Sequence, residues 1–366
     1  MKLICDGLDL SDAVLKVSKA LSGKAANPAL EGIKIVAKGD SLTLTATDLE
    51  LTIEKTIKAD VLMEGETVVV GKYFVEFAKK LEKEQVELCR LDDGGLQIKY
   101  SESESELQVF PVENFPIIEK DGEGKKIELT ESAFKEAVDK VIFSCSQDDS
   151  RPILKGVLFE IEDGLLTTVA LDGFRMSVVK TDVVSEENFK AVIPSRTLQE
   201  ITRLLDKDED KITLVVQKNA LFIEIENTRL YSRLIEGEFV KYGHIIPSTF
   251  SNKVTVNKDA LLNSIERASI VAKNDRYNIV KFDVKEEVLS VSAKSEVGNV
   301  NENVNVNLSG KDITIAFNAK YIMDYLKSEK GEFITLFLNS PIDPCIIKAV
   351  GNERFLYLVL PVRINA

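Results

Sequence analysis

The chain is predicted to be an α+β protein in which one unit, two helices on one side of antiparallel sheets, is repeated three times. Three observations lead there. Segments 3–21, 126–143 and 253–272 each read as a short strand, a helix cap and an amphipathic helix. A second strand-and-helix unit follows in each copy, with starts at Gly71, Pro194 and Asn318, 123 and 124 residues apart; self-similarity at a long period signals repeated architecture. Two helices per copy cannot cover both faces of a parallel sheet, so antiparallel sheets with the helices segregated to one side fit the pattern.

In the first copy Ser11 is the expected cap, and Val14, Leu15, Val17 and Leu21 form the apolar stripe. Thr67-Val68-Val69-Val70 then leads to a helix over 73–81, and Leu96-Gln97-Ile98-Lys99-Tyr100 alternates as a closing strand. In the second copy Ile127-Glu128-Leu129 alternates as a half-buried strand, Thr130 can cap, and Phe134, Val138, Val141 and Ile142 form the stripe. Ala191-Val192-Ile193 precedes its second helix, over 198–205, and Leu221-Phe222-Ile223-Glu224-Ile225 alternates after it. The third copy repeats the order: Val254-Thr255-Val256, Asn257, then a stripe of Leu261, Leu262, Ile265 and Ile270, followed by Ile313-Thr314-Ile315-Ala316-Phe317 and a helix over 321–326. Each copy should hold two helices and about eight strands. Turn formers cluster at 121–124 and 248–251, which divides the chain into domains 1–122, 123–249 and 250–366. Glu102, Glu104 and Glu106, and the alternation of Asn with Val over 299–307, read as exposed edge strands whose polar side faces water or a partner.

Composition removes several classes. At 366 residues, with 44% hydrophobic and 29% charged side chains, the chain has material for two or three soluble domains. No apolar run approaches the length of a membrane span, and Asp6 interrupts any signal-peptide core, so a cytoplasmic protein is expected. Cys5, Cys89, Cys145 and Cys345 lie far apart without zinc or disulfide spacing and are expected reduced and mostly buried. The single histidine, His244, leaves little room for His-based metal sites or triads. No convergent set of carboxylates suggests magnesium-dependent chemistry. Neither a cofactor nor a catalytic residue is expected.

Local signals with chemical alternatives read as turns. Gly122-Glu123-Gly124-Lys125-Lys126 lacks phosphate-loop spacing and precedes a strand. Asp206, Asp208, Glu209 and Asp210 fall between a helix and a strand, where a solvated turn is the default. Asp172-Gly173 reads as a tight turn between strands.

Charge distribution is more informative than the net charge of −13. The helix windows 11–24, 71–84, 131–143, 194–207, 258–273 and 318–330 together carry +5, leaving −18 on the rest. Lysine and arginine on these windows, Lys24, Lys72, Lys79, Lys83, Arg196 and Arg203 among them, are candidate donors to DNA phosphates. Solvated lysines on amphipathic helices are the competing reading, as is a repeat scaffold that binds only proteins. No recognition helix suggests base readout.

Several segments, in order along the whole chain, carry a resemblance. They are Leu44-Thr45-Ala46-Thr47-Asp48-Leu49-Glu50, Asn114-Phe115-Pro116, Arg151-Pro152-Ile153-Leu154-Lys155-Gly156-Val157-Leu158-Phe159-Glu160, Val169-Ala170-Leu171-Asp172-Gly173-Phe174-Arg175-Met176, Phe317-Asn318 and Tyr357-Leu358-Val359-Leu360-Pro361-Val362-Arg363-Ile364. With them the chain resembles the bacterial sliding-clamp family, the beta subunits of DNA polymerase III. The resemblance implies a noncatalytic clamp: a head-to-tail homodimer of three-domain chains, closed as a ring around duplex DNA, that tethers polymerase, clamp loader and repair proteins. It places Ile270 and Val271 at the apolar centre of the dimer interface. It implies a pocket for linear peptide motifs, lined by Leu154, by Leu171, Gly173, Phe174, Arg175 and Met176, by Val240, His244 and Ile245, and by Pro344, Leu358, Val359, Leu360, Pro361, Val362 and Arg363. Near the DNA it points to Arg151, Pro152 and Ile153. Pro152-Ile153 stands where some members carry two aromatics, which leaves Arg151 and Lys24 as the supported contacts. Phe174 and His244 replace the histidine and arginine of some members and make the pocket less basic. Read without the family, the 358–364 run is a core strand; both readings fit if one face is buried and the end forms the groove.

Overall fold

All six α-helices start on the residue after a strand ends. The computed structural model describes residues 1–23, 25–92, 94–117, 123–205, 207, 209–273 and 278–363. Lys24, Asp121, Gly122, Asp206, Asp208 and Ile364 therefore lie outside the described residues. The first repeat runs β1 (Lys2–Asp6), α1 (Gly7–Val17), β2 (Gly32–Lys38), β3 (Ser41–Thr47), β4 (Leu51–Lys58), β5 (Asp60–Met63), β6 (Gly65–Val70), α2 (Gly71–Ala78), β7 (Gln85–Arg90), β8 (Gly95–Tyr100) and β9 (Ser103–Phe110). The second runs β10 (Lys125–Thr130), α3 (Glu131–Asp139), β11 (Gly156–Glu162), β12 (Leu165–Leu171), β13 (Arg175–Asp182), β14 (Phe189–Pro194), α4 (Ser195–Leu204), β15 (Lys211–Val216), β16 (Ala220–Ile225) and β17 (Thr228–Arg233). The third runs β18 (Asn252–Asn257), α5 (Lys258–Ala272), β19 (Ile279–Lys285), β20 (Val288–Ser295), β21 (Gly298–Ser309), β22 (Ile313–Asn318), α6 (Ala319–Ser328), β23 (Phe333–Leu338), β24 (Cys345–Ala349) and β25 (Phe355–Val359). The second helix of each copy starts at Gly71, Ser195 or Ala319, a constant spacing of 124. Pro194 and Asn318, the predicted starts, are the last strand residues, and Asn318 caps its helix by accepting from Lys320 N at 2.9 Å.

The cap of α1 is Asp6, not Ser11. Asp6 Oδ1 accepts from Leu8 N at 2.8 Å and Asp9 N at 3.1 Å, so the chain turns helical five residues earlier than a cap at Ser11 would place it. Gly7 permits this start: a Cβ there would lie 2.5 Å from the Glu82 carbonyl oxygen. α1 buries Leu10, Ala13, Val14 and Val17, packing on β3, β4 and α2. α5 buries Leu261, Ile265, Ala268 and Ala272 against β19, β20, β21 and α6. Removing each such Leu or Ile from water contributes about 1.5–3 kcal/mol before chain entropy is counted. Ile270 departs from the predicted stripe; it is 69% exposed.

The elements gather into two compact units, Met1–Glu131 with Arg196–Leu234, and Ser132–Ser195 with Ile235–Ala366. Each unit holds one antiparallel sheet. The first orders its strands β10-β15-β16-β17-β4-β3-β2-β6-β9-β8-β7-β1-β5 and the second β14-β11-β12-β13-β25-β24-β23-β18-β21-β20-β19-β22. Sheet continuity is why packing units and repeats divide the chain differently: β17 pairs with β4 of the first repeat, and β13 with β25 of the third. Besides the sheet-end strands β10, β5, β14 and β22, β9 and β21 keep part of an edge unpaired among the described residues. β9 pairs with β8 over 103–108 and with β6 only at Val109 and Phe110. β21 pairs with β20 over 298–305 and with β18 over 306–309. Glu104 and Glu106 sit on β9 as expected, but Glu102 lies in the turn before it.

Candidate functional site

The positive surplus counted with the helices lies past their ends, although Lys72, Arg196 and Arg203 stand inside α2 and α4. Within the counted windows, residues inside α1–α6 balance to zero, and the whole +5 comes from segments that follow helix C-termini. Positive charge there is favoured by the helix dipole whatever the ligand. Many of these cations also have carboxylate partners. Lys79 donates to Glu76 at 2.6 Å, Arg203 is bound to Glu200, and Arg196 to Asp48 and the Lys19 carbonyl. Lys72, Lys83 and Arg151 are exposed and have no carboxylate within ion-pair distance among the described residues. Lys72 lies 5.7 Å from the centroid of the Tyr73 ring. The Lys79–Glu76 pair is exposed on both sides, so salt screens it and a phosphate can displace Glu76. Asp48 and Glu200 are largely buried, which ties Arg196 and Arg203 more firmly. Pro152 is exposed on the 3₁₀ turn Pro152–Lys155, whereas Ile153 packs into an apolar cluster. Ile153 is half-buried against that cluster, and its neighbour Arg151 carries the candidate phosphate donor of this turn.

The cluster lies in the second unit. Leu154, Leu158, Val169, Leu171, Met176, Val178, Val192, Ile346 and Leu358 are its buried centre, and Ile153, Phe239, Tyr242, Ile246 and Leu360 are among the half-buried side chains packed on it. Strand register selects this set. Leu171 faces Met176, and Met176 faces Leu358, so all three share a side of the sheet. Arg175 pairs with Val359, and these two point to the opposite side. There the Arg175 guanidinium stands 4.4 Å from the centroid of the Tyr321 ring on α6. Two of the expected lining residues, Arg175 and Val359, therefore point away from the cluster, and Arg175 packs on the Tyr321 ring on which Phe174 stacks. Arg175 is also buried and held by Asp172 at 3.0 Å and Asp324 at 2.6 Å. Burial acts to lower its pKa, but nearby Tyr357 and the bonds to Asp324 and Asp172 outweigh it and raise the pKa.

Around the cluster, Phe174 is 60% exposed, and Val240 and Ile245 are also exposed. Gly173 makes the turn before Phe174 possible, with φ +93°. His244 is exposed on the 3₁₀ turn Tyr242–Ile245. Pro344, Pro361 and Val362 are half-buried and Arg363 exposed. The tail after β25 is tied back twice: Leu360 N donates to Phe174 O at 2.8 Å and Val362 N to Ala316 O at 2.8 Å. Phe239, Tyr242 and Ile246 were absent from the expected set; their only trace in sequence is apolar side chains inside a turn-rich segment.

Tyr242 anchors that segment by donating to Glu160, which Lys190 also pairs. Burial pushes Glu160 up, but the bonds from Lys190 and Tyr242 outweigh it and hold the carboxyl below its usual range. Burial, with Glu160 beside it, raises Tyr242. Burial also pushes the Cys5 and Cys145 thiols up to about 12, which keeps them protonated and unreactive. Among the described residues no three His, Cys, Asp or Glu side chains gather as metal ligands, and no helix is long and apolar enough to cross a membrane.

Family models match the chain from end to end: the DNA polymerase III beta subunit N-terminal domain over 1–119, central domain over 128–241 and C-terminal domain over 243–363. The chain is similar to the beta sliding clamp of Halalkalibacterium halodurans, 30% identical over 362 residues that cover 95% of each chain. It is also similar to that of Bacillus subtilis, 29% identical over 367 residues that cover 97% of each. Among solved structures, it resembles the DNA polymerase III beta subunit of Thermotoga maritima with a TM-score of 0.92 and 31% identity over 100% of both chains. For the sliding clamp of Bacillus subtilis the values are 0.95 and 28%, again over 100% of both.

The Glu160 pair generates a prediction with a definite sign. A carboxyl held below its unfolded value stabilises the fold above the ordinary carboxylate range, and that contribution is lost as pH falls through the folded pKa. Y242F removes one donor, so Glu160 moves back toward its ordinary value. Urea unfolding of Y242F should show a loss of about 1 kcal/mol at pH 7, and its acid decline should begin at a higher pH than that of the parent.

Proposed function

Because this chain belongs to the DNA polymerase III beta-subunit family of sliding clamps, we propose that two copies close head to tail around duplex DNA and capture partner proteins by short peptides at the Phe174–Leu360 surface. The chain is a sliding clamp, a noncatalytic processivity factor of DNA replication. The observation that carries the peptide reading is the apolar cluster behind Leu360, which reaches the surface beside exposed Phe174, Val240 and Ile245. Such a surface suits Leu and Phe anchors, with polar rim contacts setting register. The revised lining is Leu154, Leu171, Gly173, Phe174, Met176, Val240, His244, Ile245, Pro344, Leu358, Leu360, Pro361, Val362 and Arg363. Polymerase, clamp loader and repair proteins are the proposed partners, and the cytoplasm the compartment.

Closure by two copies is supported by the unpaired edges of β9 and β21 and by Ile270 and Val271 on α5. The third repeat of one copy would meet the first repeat of the other, and two such heterologous contacts close a ring. The division 1–122, 123–249 and 250–366 is the proposed domain set. Phosphate contact falls to Lys24, Lys72, Lys83 and Arg151, with Lys79 recruited by exchange from Glu76, Arg196 and Arg203 held in their ion pairs, and Pro152 beside them. Encirclement lets such weak contacts suffice, since linkage rather than affinity retains the protein.

Three measurements test this reading. The protein should stay on nicked circular DNA in high salt and leave once the circle is cut; equal loss from both substrates would refute encirclement. I270D should sediment as a single chain where the parent sediments as two. L360D should abolish binding of a fluorescein-labelled pentapeptide bearing Leu and Phe anchors while leaving the sedimenting mass unchanged; persistence of binding would overturn the pocket.

A further inference from the structure

Asp324 on α6 serves two cations. Its Oδ2 accepts from Arg175 Nη1 at 2.6 Å and from Lys320 Nζ at 2.6 Å. The Lys320 side chain is 62% exposed, whereas that of Arg175 is 6% exposed. Arg175 also donates through Nε to Asp172 Oδ2 at 3.0 Å and through Nη2 to the Phe143 carbonyl. Asp172 in turn folds the tight turn: its Oδ1 accepts from Phe174 N at 2.9 Å and from Arg175 N at 3.0 Å. The turn presents the Phe174 ring, stacked on Tyr321 with centroids 6.4 Å apart, and its Phe174 carbonyl holds Leu360. A continuous chain of charge-assisted bonds therefore runs from α6, through a buried guanidinium, to the residues that present the apolar surface.

We propose that Asp324 is a positioning residue for the partner pocket, acting through Arg175 on the Phe174 turn and Leu360, with Lys320 setting how far its charge is shared. The inference rests on the pocket assignment made above. Loss of the Asp324 charge leaves Arg175 buried with one carboxylate in place of two, an imbalance that buried charges relieve by moving. The fork then shifts, and the turn with it. Conversely, an anion such as a DNA phosphate that draws Lys320 away leaves the carboxylate to Arg175 alone and tightens the turn.

The chain contains no tryptophan, so F174W is a single fluorescent reporter of the turn. D324N is expected to weaken binding of the labelled Leu- and Phe-bearing pentapeptide about five- to tenfold, roughly one decade in Kd at most, and in the F174W background to lower the emission polarisation. K320Q should leave peptide affinity at or above the parent value. Should D324N not fold, D324E, which keeps the charge and moves it by one methylene, is held to the same fivefold criterion. Peptide affinity of D324N within twofold of the parent, with unchanged reporter polarisation, overturns the relay, as does a K320Q loss equal to that of D324N. Intact binding in D324N with loss in L360D sinks the relay alone. Undiminished binding in L360D sinks the pocket assignment and the relay with it.

Discussion

The antiparallel pairing of β13 with β25 joins the second repeat to the third by backbone hydrogen bonds, and the candidate site depends on its register. Arg175 faces Val359, and Met176 faces Leu358. Because side chains alternate across a strand, a slip of β25 by one residue would turn Leu358 and Leu360 toward the helix side and bring Tyr357 and Val359 to the apolar cluster. Burial on both sides forbids the slip: Met176 and Leu358 are enclosed on one side, and Tyr357 and Val359 on the other. The pairing of β17 with β4 makes an equivalent join in the first unit.

The same sheet separates two kinds of chemistry. On the side facing α6 lie charges and aromatic rings: Arg175 with Asp172 and Asp324, Tyr321, and Tyr357, whose hydroxyl donates to the Tyr321 carbonyl at 2.8 Å. On the other side lies hydrocarbon, ending in half-buried Leu360, while Phe174, on the turn before β13, stacks on Tyr321 at the rim between the two. A buried guanidinium is costly unless each of its donors is met. Here two carboxylates and a carbonyl meet three of its five N–H groups, one on each nitrogen, and tie the polar side to the turn before β13.

Electrostatics follows a different logic. An acidic chain that handles DNA is expected to concentrate positive charge on its helices, yet the surplus lies beyond their C-termini and much of it is already paired with carboxylates. Weak, exchangeable contacts suit a protein that must move along its ligand, because tight phosphate binding would oppose sliding. Solvent-exposed pairs such as Lys327–Glu266, at 2.8 Å, keep each cation available at small cost.

The repeat, a spacing of 123 and 124 residues between its second strand-and-helix units and the α+β class were legible in the sequence, because periodicity is a local property of the chain. Burial of Cys5, Cys145 and Cys345 was legible for the same reason, Cys89 being half-buried, whereas the core strand read over 358–364 ends at Val359. Tertiary structure alone decided the rest. Asp6 rather than Ser11 caps α1 because Gly7 fits beneath a distant carbonyl oxygen. Ile153 belongs to the cluster and Arg175 to the opposite side because pairing register, which joins residues far apart in the chain, assigns each side chain its face. Arg196 is partnered by Asp48 across 148 residues of sequence. The sequence by itself determined which elements form and in what order; only the fold decided which side chains meet, since contact is set by packing between strands that no local pattern records.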